Sequence, residues 1–457
     1  MSVDPSRQSG SSPGAALADP GPVDRPSPRP PSGARPCRFA LLGFGTVGQA
    51  LVRSLVDDPR PELQLTHIVN RDVSRKRVPW TPGTVRWTDD LAEVLDSDVD
   101  VIVELIGGVD PAGAWMRAAL EAGKSVVTAN KQAVAHAGPE LAALARARGL
   151  EFRFEAAVGG AVPMLGGLRD GLAGDRVRAI VGLLNGTCNA ILSCIERTGA
   201  SFEEALGEAR RLGLAEADPS DDLEGRDAAA KLTLLCGVGF GRHADPGGWP
   251  CQSIAGIEPV DFIYAGRLGC TIRQVAYAEP ADGALAGWVG PALVPASSLL
   301  AHVHGSRNIL LAAGTAAAQT GFFGVGAGGR PTAVAVLSDL LAIASGARQS
   351  CCGPAIPART RAIEPPRPQR RYVRFVVRDQ PGIIATLAAA FAAEEISLEA
   401  VLQEPPVRQA ELPFVITLDP CPTPALHRAL DVIGHCRFHA KPPLSLRMPD
   451  DLEDAGA

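Results

Sequence analysis

CRFALLGFGTVGQALVRSL, residues 37–55, begins as a short apolar run, closes that run with glycine, and continues with Val47, Leu51 and Leu55 at helical spacing. The pattern predicts strand, tight turn, helix. Gly43, Gly45 and Gly48 form G-x-G-x-x-G across the turn. The first glycine permits the turn, the second lets the backbone approach a pyrophosphate, and the third lets helix and strand pack closely. The helix N-terminus then offers free N–H groups to phosphates. Such a motif is weak alone, but it gains weight as the first strand-to-helix turn of a wound sheet.

The residues that follow continue that sheet. Apolar runs at 63–69, 99–107, 125–129 and 151–157 read as strands, and PAGAWMRAALEAG and GPELAALARARG between them read as helices. Strands alternating with helices of this length imply a parallel sheet wound on both sides. The end of the second strand faces an adenosine ribose in such folds, and an NAD site usually has Asp or Glu there. This chain has Asn70 and Arg71, then Arg75, Lys76 and Arg77. A cation cluster fits a 2′-phosphate and favours NADP. A solvated charged turn is the plainer reading, and Asp72 keeps NAD open.

The chain has 457 residues, enough for two or three domains, and is 46% hydrophobic and 21% charged, enough for sizeable cores. A net charge of −6 gives no reason to expect nucleic acid or membrane as partner. No apolar run approaches the roughly 20 residues that span a bilayer. Residues 1–36, rich in Pro, Ser and Gly, lack the apolar middle of a signal peptide and are expected to be disordered. The ten cysteines are scattered without a CxxC pair, which suits reduced thiols in a cytoplasmic protein better than a disulfide framework or zinc site.

Beyond residue 160 the pattern changes to α+β. Strands are expected at 177–184, 271–279 and 297–305, and helices at 201–213 and 331–348. A Pro/Arg-rich linker follows, then β-α-β-β-α-β from about residue 371, the order of a ferredoxin-like module.

Three turns could carry chemistry. Thr128-Ala-Asn-Lys131 lies past a strand end, where Lys131 either holds a phosphate or substrate carbonyl or is an ordinary helix-start charge. Glu155-Ala-Ala-Val-Gly-Gly-Ala-Val-Pro163 offers carboxylate and carbonyl oxygens to a hard cation, or is a hinge. GVGAGGRPT (324–332) either closes over the cofactor or is a plain loop.

GLAEADPSDDLEGRDAAAKL (213–232) crowds six carboxylates ahead of Lys231. It is no calcium loop, because the sixth residue from Asp218 is Leu223 rather than glycine. Without Cys or His it suits zinc poorly. Asp227 and Lys231, at i and i+4, share a helix face with the acid N-terminal to the base. That is a structural salt bridge, or a lysine held ready to protonate an alkoxide.

Taken in order, GFGTVG, TANK, EAAVGGAVP, LLNGTCNAIL, GLAEADPSDDLEGRDAAAKL and GAGGRPTAVAV resemble homoserine dehydrogenase, from about residue 37 to the end. The tail resembles an ACT domain. The resemblance implies reduction of L-aspartate 4-semialdehyde to L-homoserine with NAD(P)H, in threonine, methionine and isoleucine biosynthesis. It implies Lys231 as catalytic lysine with Asp227, and a substrate site of Gly213, Glu216, Asp227 and Lys131, with Asp222 a weaker candidate. Gly43, Phe44, Gly45, Thr46, Val47, Gly48, Lys131 and Gly328 match its cofactor site, to which Arg71 is added. A monovalent cation, usually Na+, is implied at Glu155 and the carbonyls of Val158, Gly160 and Val162. Cys188 and Leu214 depart from the commoner threonine and tyrosine without removing a named group.

The resulting fold expectation is α/β: an extension (1–36), a Rossmann-type doubly wound domain (37–156), an α+β catalytic and dimerisation domain (157–324), a linker (347–370), an ACT domain (371–449) and a tail (450–457). A helix in 325–346 is expected to pack back on the first domain. The expected assembly is a homodimer or homotetramer, with L-threonine as effector. Two rivals are an aspartate dehydrogenase, against which the DAAAK end argues, and a non-catalytic amino-acid sensor, against which Lys131, Asp227 and Lys231 argue.

Overall fold

The computed structural model describes residues 35–347, 360–365, 367–404 and 411–449. Most of the extension, linker residues 348–359 and 366 with Cys351 and Cys352, and the tail lie outside the described residues. Six strands, β1 (Cys37–Leu42), β2 (Leu63–Val69), β3 (Arg86–Thr88), β4 (Val101–Glu104), β5 (Ser125–Thr128) and β6 (Phe152–Arg153), form a sheet ordered β3-β2-β1-β4-β5-β6. Every neighbouring pair is parallel. Alternate residues point to opposite faces. Ala40, Leu42, Ile102 and Val126 therefore share a core with α2 (Ala112–Glu121) and α3 (Lys131–Ala147). Phe39, Leu41, Val101 and Val103 face the other way, toward α1 (Thr46–Asp57).

The second sheet is mixed. Strands β7 (Val177–Leu183), β8 (Cys270–Ala281), β9 (Ala284–Pro295), β10 (Arg307–Gly314) and β11 (Gln319–Val325) are joined by β12 (Arg361–Ile363), β13 (Gln369–Val377), β14 (Leu398–Gln403), β15 (Leu412–Cys421) and β16 (His439–Met448). The order is β11-β10-β7-β8-β9-β16-β13-β15-β14, with β12 beside β9. The helices of this half are α4 (Gly186–Thr198), α5 (Phe202–Arg211), α6 (Arg226–Gly239), α7 (Pro259–Arg267), α8 (Gly329–Ala344), α9 (Ile383–Ala393) and α10 (Thr423–Gly434). Ala333, Ala335, Val336 and Leu340 of α8 pack with α1 on the first sheet.

Three sequence expectations change. Residues 297–305 are not a strand: Ser298 Oγ accepts Leu300 N at 3.1 Å to open a helical turn, Leu299–His302, and the strand begins later, at Arg307. Leu300 and Val303 are buried from that turn, so their apolarity mimicked a strand. Strand β9 was not foreseen because Gly287, Gly290 and Pro291 interrupt it. Those glycines are required by packing. A Cβ on Gly287 would lie 2.4 Å from Tyr277 O, and one on Gly290 would lie 2.9 Å from Gln252 Cβ. In 151–157 only Phe152–Arg153 is strand, and Glu155–Ala157 is a helical turn.

The β-α-β-β-α-β run β13-α9-β14-β15-α10-β16 has its own core around Phe375, Leu387, Phe391 and Ile416. It does not stand apart as a separate sheet. One parallel pair, Arg447↔Ala292, joins β16 to β9. Beside this seam, Asp261 of α7 accepts from Arg374 Nη1 at 2.5 Å and from Tyr372 Oη at 2.7 Å. Burial pushes Asp261 up to about 6 although Arg374 pulls the other way. No helix among the described residues is long and apolar enough to cross a membrane.

Candidate active site

At the first strand-to-helix turn, each glycine has its own reason. Gly43 has φ +97°, and a Cβ there would lie 2.8 Å from Leu105 O. A Cβ on Gly48 would lie 2.6 Å from Gly43 O. Gly45 has nothing within 4 Å of its Cβ position, leaving room for a ligand at the start of α1. The Phe44 ring is fully buried, 4.9 Å from the Trp87 ring, so only its backbone faces this space. Thr46 is exposed and Val47 half-buried. The second glycine turn arrives here too: Gly328 has φ +120°, and a Cβ on Gly329 would lie 2.9 Å from Thr46 Cγ2. Past β2, Arg71 is exposed, while Asp72 accepts from Arg75 N at 3.2 Å and pairs with the Arg75 side chain. The residues present fit a dinucleotide: an uncapped helix N-terminus, an open glycine and an exposed cation.

The acidic stretch starts at Gly213 (φ +70°), runs through a short helix, Ser220–Leu223, and turns at Gly225 (φ +84°) into α6. Asp227 and Lys231 then share a face, both 8% exposed. Lys231 Nζ donates to Asp227 Oδ2 and to Leu184 O, each at 2.7 Å. Helix α3 packs beside α6 and brings Lys131 Nζ to 2.9 Å from Asp227 Oδ1. Asn185, at the start of α4, donates to Asp227 Oδ2 at 2.8 Å and to Asp222 Oδ1 at 2.6 Å. Burial alone would push Asp227 up, but the two ammonium groups outweigh it and hold the carboxyl well below the usual carboxylate range. The Asp227 charge in turn raises Lys131. Burial pushes Asp222 up against the Asn185 hydrogen bond.

A cleft of about 500 Å³ opens above this pair, with Lys131, Glu216, Asp222 and Asp227 in its wall. Lys231 lies behind Asp227, and neither it nor exposed Gly213 is part of the wall. Asp221 pairs with Arg226 Nε at 2.7 Å, and Glu224 pairs with the same guanidinium. Cys188 is buried with its Sγ 3.1 Å from Asp222 O, so the thiol serves as a donor inside the site.

Sequence reasoning assigned no role to three residues. Asn185 had a readable signal, since an asparagine before a helix is an N-cap, and its Oδ1 accepts Cys188 N at 2.8 Å. Asn308 gave none. Glu104, fully buried, holds the turn after β4 by accepting Ile106 N at 2.7 Å and Thr128 Oγ1 at 2.6 Å.

Glu155 accepts Leu165 N at 3.0 Å and Gly166 N at 2.7 Å, and burial pushes its carboxyl up. Val158, Gly160 and Val162 are buried beside it. A buried carboxylate with lone pairs to spare suits a hard, oxygen-seeking cation, although the Val162 carbonyl already accepts Met164 N at 2.8 Å. No group of three or more His, Cys, Asp or Glu among the described residues is placed to hold a metal.

Comparison with known proteins gives the family of the chain. A family model described as homoserine dehydrogenase, NAD binding domain, matches residues 43–155, and one described as homoserine dehydrogenase matches 163–341. The homoserine dehydrogenase of Mycobacterium tuberculosis is 39% identical over 82% of this chain and 88% of its own. That of Corynebacterium glutamicum is 38% identical over 80% and 85%. The crystal structure of a homoserine dehydrogenase from Thiobacillus denitrificans superposes with a TM-score of 0.82 and 32% identity, over 92% of this chain and 99% of that one. A hyperthermophilic archaeal homoserine dehydrogenase in complex with NADPH matches with a TM-score of 0.58 and 25% identity, over 67% and 97%. Fold and relatives together define an NAD(P)-dependent oxidoreductase acting on a CH–OH group. More narrowly, the chain belongs to the homoserine dehydrogenase family.

Proposed function

We propose that the chain interconverts L-aspartate 4-semialdehyde and L-homoserine with NADP(H), on the route to threonine, methionine and isoleucine. The observation that carries this reading is Asp227 held between Lys131 and Lys231 in an acid-lined cleft. An ammonium has three N–H donors. Lys231 gives one to Asp227 and one to Leu184 O, so the third is free for a substrate oxygen. As the carbonyl becomes an alcohol, Lys231 protonates that oxygen. Asp227 sets the direction of Lys231, and Lys131 braces Asp227 from the cofactor side. Glu216 and Asp222 pair with the substrate ammonium. When bound, the nicotinamide supplies the hydride, or accepts it in reverse.

The cofactor is assigned to Gly43, Phe44, Gly45, Thr46, Val47 and Gly48, with Gly328, Lys131 and Arg71. NADP is favoured over NAD because Asp72 is engaged in capping while Arg71 is exposed. Glu155 and the carbonyls of Val158, Gly160 and Val162 would hold Na+ and steady the turn between the two sheets. Residues 371–449 are read as an ACT domain taking L-threonine as feedback effector, and 37–156 and 157–324 as the cofactor and catalytic domains of a cytoplasmic homodimer or homotetramer.

NADP+ reduction with homoserine, by wild-type and Lys231→Ala protein, tests the reading. The variant loses roughly 10²-fold or more in kcat, NADP+ outpaces NAD+, and threonine slows the wild type. Near-normal kcat in the variant removes Lys231 from the chemistry. A faster rate with aspartate than with homoserine replaces the proposed substrate.

A further inference from the structure

The Leu184 carbonyl that receives Lys231 has a second donor. Asn308 Nδ2, on β10, reaches it at 2.9 Å. Strand β10 runs antiparallel to β7 with Ile309 opposite Leu183, which sets Asn308 beside Leu184 where β7 gives way to α4. Asn308 is 1% exposed and lies outside the cleft wall. Its Oδ1 has no hydrogen-bond partner among the described residues. A buried amide with one half unpaired is unfavourable, so the half that is paired needs a reason.

The other face of the carboxamide meets the second glycine turn. A Cβ on Gly326 would sit 2.1 Å from Asn308 Cγ and 2.4 Å from its Nδ2 and Oδ1, so the turn lies flat on the amide and tolerates no side chain there. Three residues on, Gly329 packs on Thr46 at the start of α1. A Cβ on Gly160 would lie 2.9 Å from the Gly326 carbonyl carbon, so the cation-site turn closes on the same point. One amide thus stands between the cofactor turn and the carbonyl that aims Lys231.

We propose that Asn308 is a positioning residue for the reaction: it fixes the Leu184 carbonyl, and through that carbonyl it directs the free N–H of Lys231, with Gly326 pressing it into place. The proposal rests on Lys231 as proton donor. Leu184 O can accept from both groups because a carbonyl has two lone pairs. Without Asn308 the peptide at the β7 end is free to tilt, and the Lys231 ammonium follows it away from the substrate oxygen.

The test is a mutant cycle on the whole enzyme. Asn308→Ala lowers kcat roughly three- to tenfold, the scale of one hydrogen bond, with KM for homoserine within about twofold because no substrate contact is removed. In a Lys231→Ala background the same substitution costs nothing further, because its effect runs through the missing group. Asn308→Ser keeps a hydroxyl donor and recovers part of the rate, and it replaces Asn308→Ala in the cycle if the alanine variant does not fold. An unchanged kcat overturns the proposal, and so does a loss that multiplies fully with Lys231→Ala. If Lys231→Ala itself keeps near-normal kcat, the assignment of Lys231 fails instead.

Discussion

Replacing Asp227 by asparagine keeps the shape of the side chain and removes the charge between two ammonium groups. The carboxylate lies 2.7 Å from Lys231 Nζ and 2.9 Å from Lys131 Nζ, with 8% of its surface exposed. At an effective dielectric of about 20, one unit-charge pair at about 4 Å is worth on the order of 4 kcal/mol before desolvation. Desolvation cancels much of that in the intact cluster, but removing the carboxylate leaves Lys231 buried and uncompensated, at a cost of about 3–5 kcal/mol, while Lys131, its side chain 34% exposed, can turn to water. Falling on the reacting geometry, this lowers kcat/KM by roughly 10²- to 10³-fold. The stability term has a definite sign. The folded pKa of Asp227 is depressed, so its contribution is present above the unfolded value and is lost as pH falls toward the folded one. The gap between wild type and Asp227→Asn in urea unfolding should therefore hold near pH 7 and narrow by about 1 kcal/mol per pH unit below about 4. Steady-state rates and urea curves at both pH values make the check. A kcat/KM within threefold of wild type refutes the reasoning, and so does a gap that widens in acid.

Two substitutions at neighbouring glycines should separate fold from ligand. Gly43→Ala places a Cβ 2.8 Å from Leu105 O at φ +97° and should destabilise the chain by about 2 kcal/mol or more, read by urea unfolding. Gly45→Ala meets open space and should leave stability unchanged while weakening NADP+ binding roughly tenfold in a fluorescence titration; equal stability loss in both would dismiss the distinction. At the seam, Asp261→Ala leaves Arg374, which is 4% exposed, with Glu258 at 3.3 Å as its remaining carboxylate, and should cost about 3 kcal/mol in unfolding, whereas the double variant Asp261→Leu/Arg374→Met recovers most of it. A single variant costing under about 1 kcal/mol would show that the pair does not hold the C-terminal module.

What could be read in advance follows the range of the interaction. The turn at Gly43 is local, because its strand, glycines and helix lie within nineteen consecutive residues of sequence. Asp227 and Lys231 are likewise fixed by one helical turn. Lys131 and Asp227 are not, since only the packing of α3 on α6 brings them together. Strand β9 was hidden because glycine at 287 and 290 answers to Tyr277 and Gln252, partners that the strand's own pattern does not name. The C-terminal module read as separate because a Pro/Arg-rich segment precedes it, and a single bridge, Arg447↔Ala292, is invisible to periodicity.

The crowded carboxylates of the acidic stretch are resolved by distributing them among different partners. Asp221 and Glu224 answer to Arg226 at the surface, and Asp218 accepts Ser220 N at 3.1 Å. Asp222 is held by Asn185, and Asp227 by two lysines and the same asparagine. Glu216 remains exposed on the cleft wall and pairs with no cation among the described residues. An acid left over at the rim, above a buried acid already neutralised by two lysines, attracts a positive group at one end of a small molecule and not at the other. Under the proposed function, that polarity suits an amino acid whose ammonium stays at the rim while its carbonyl or hydroxyl reaches the lysines. A plain aldehyde would satisfy only the inner half of the cleft.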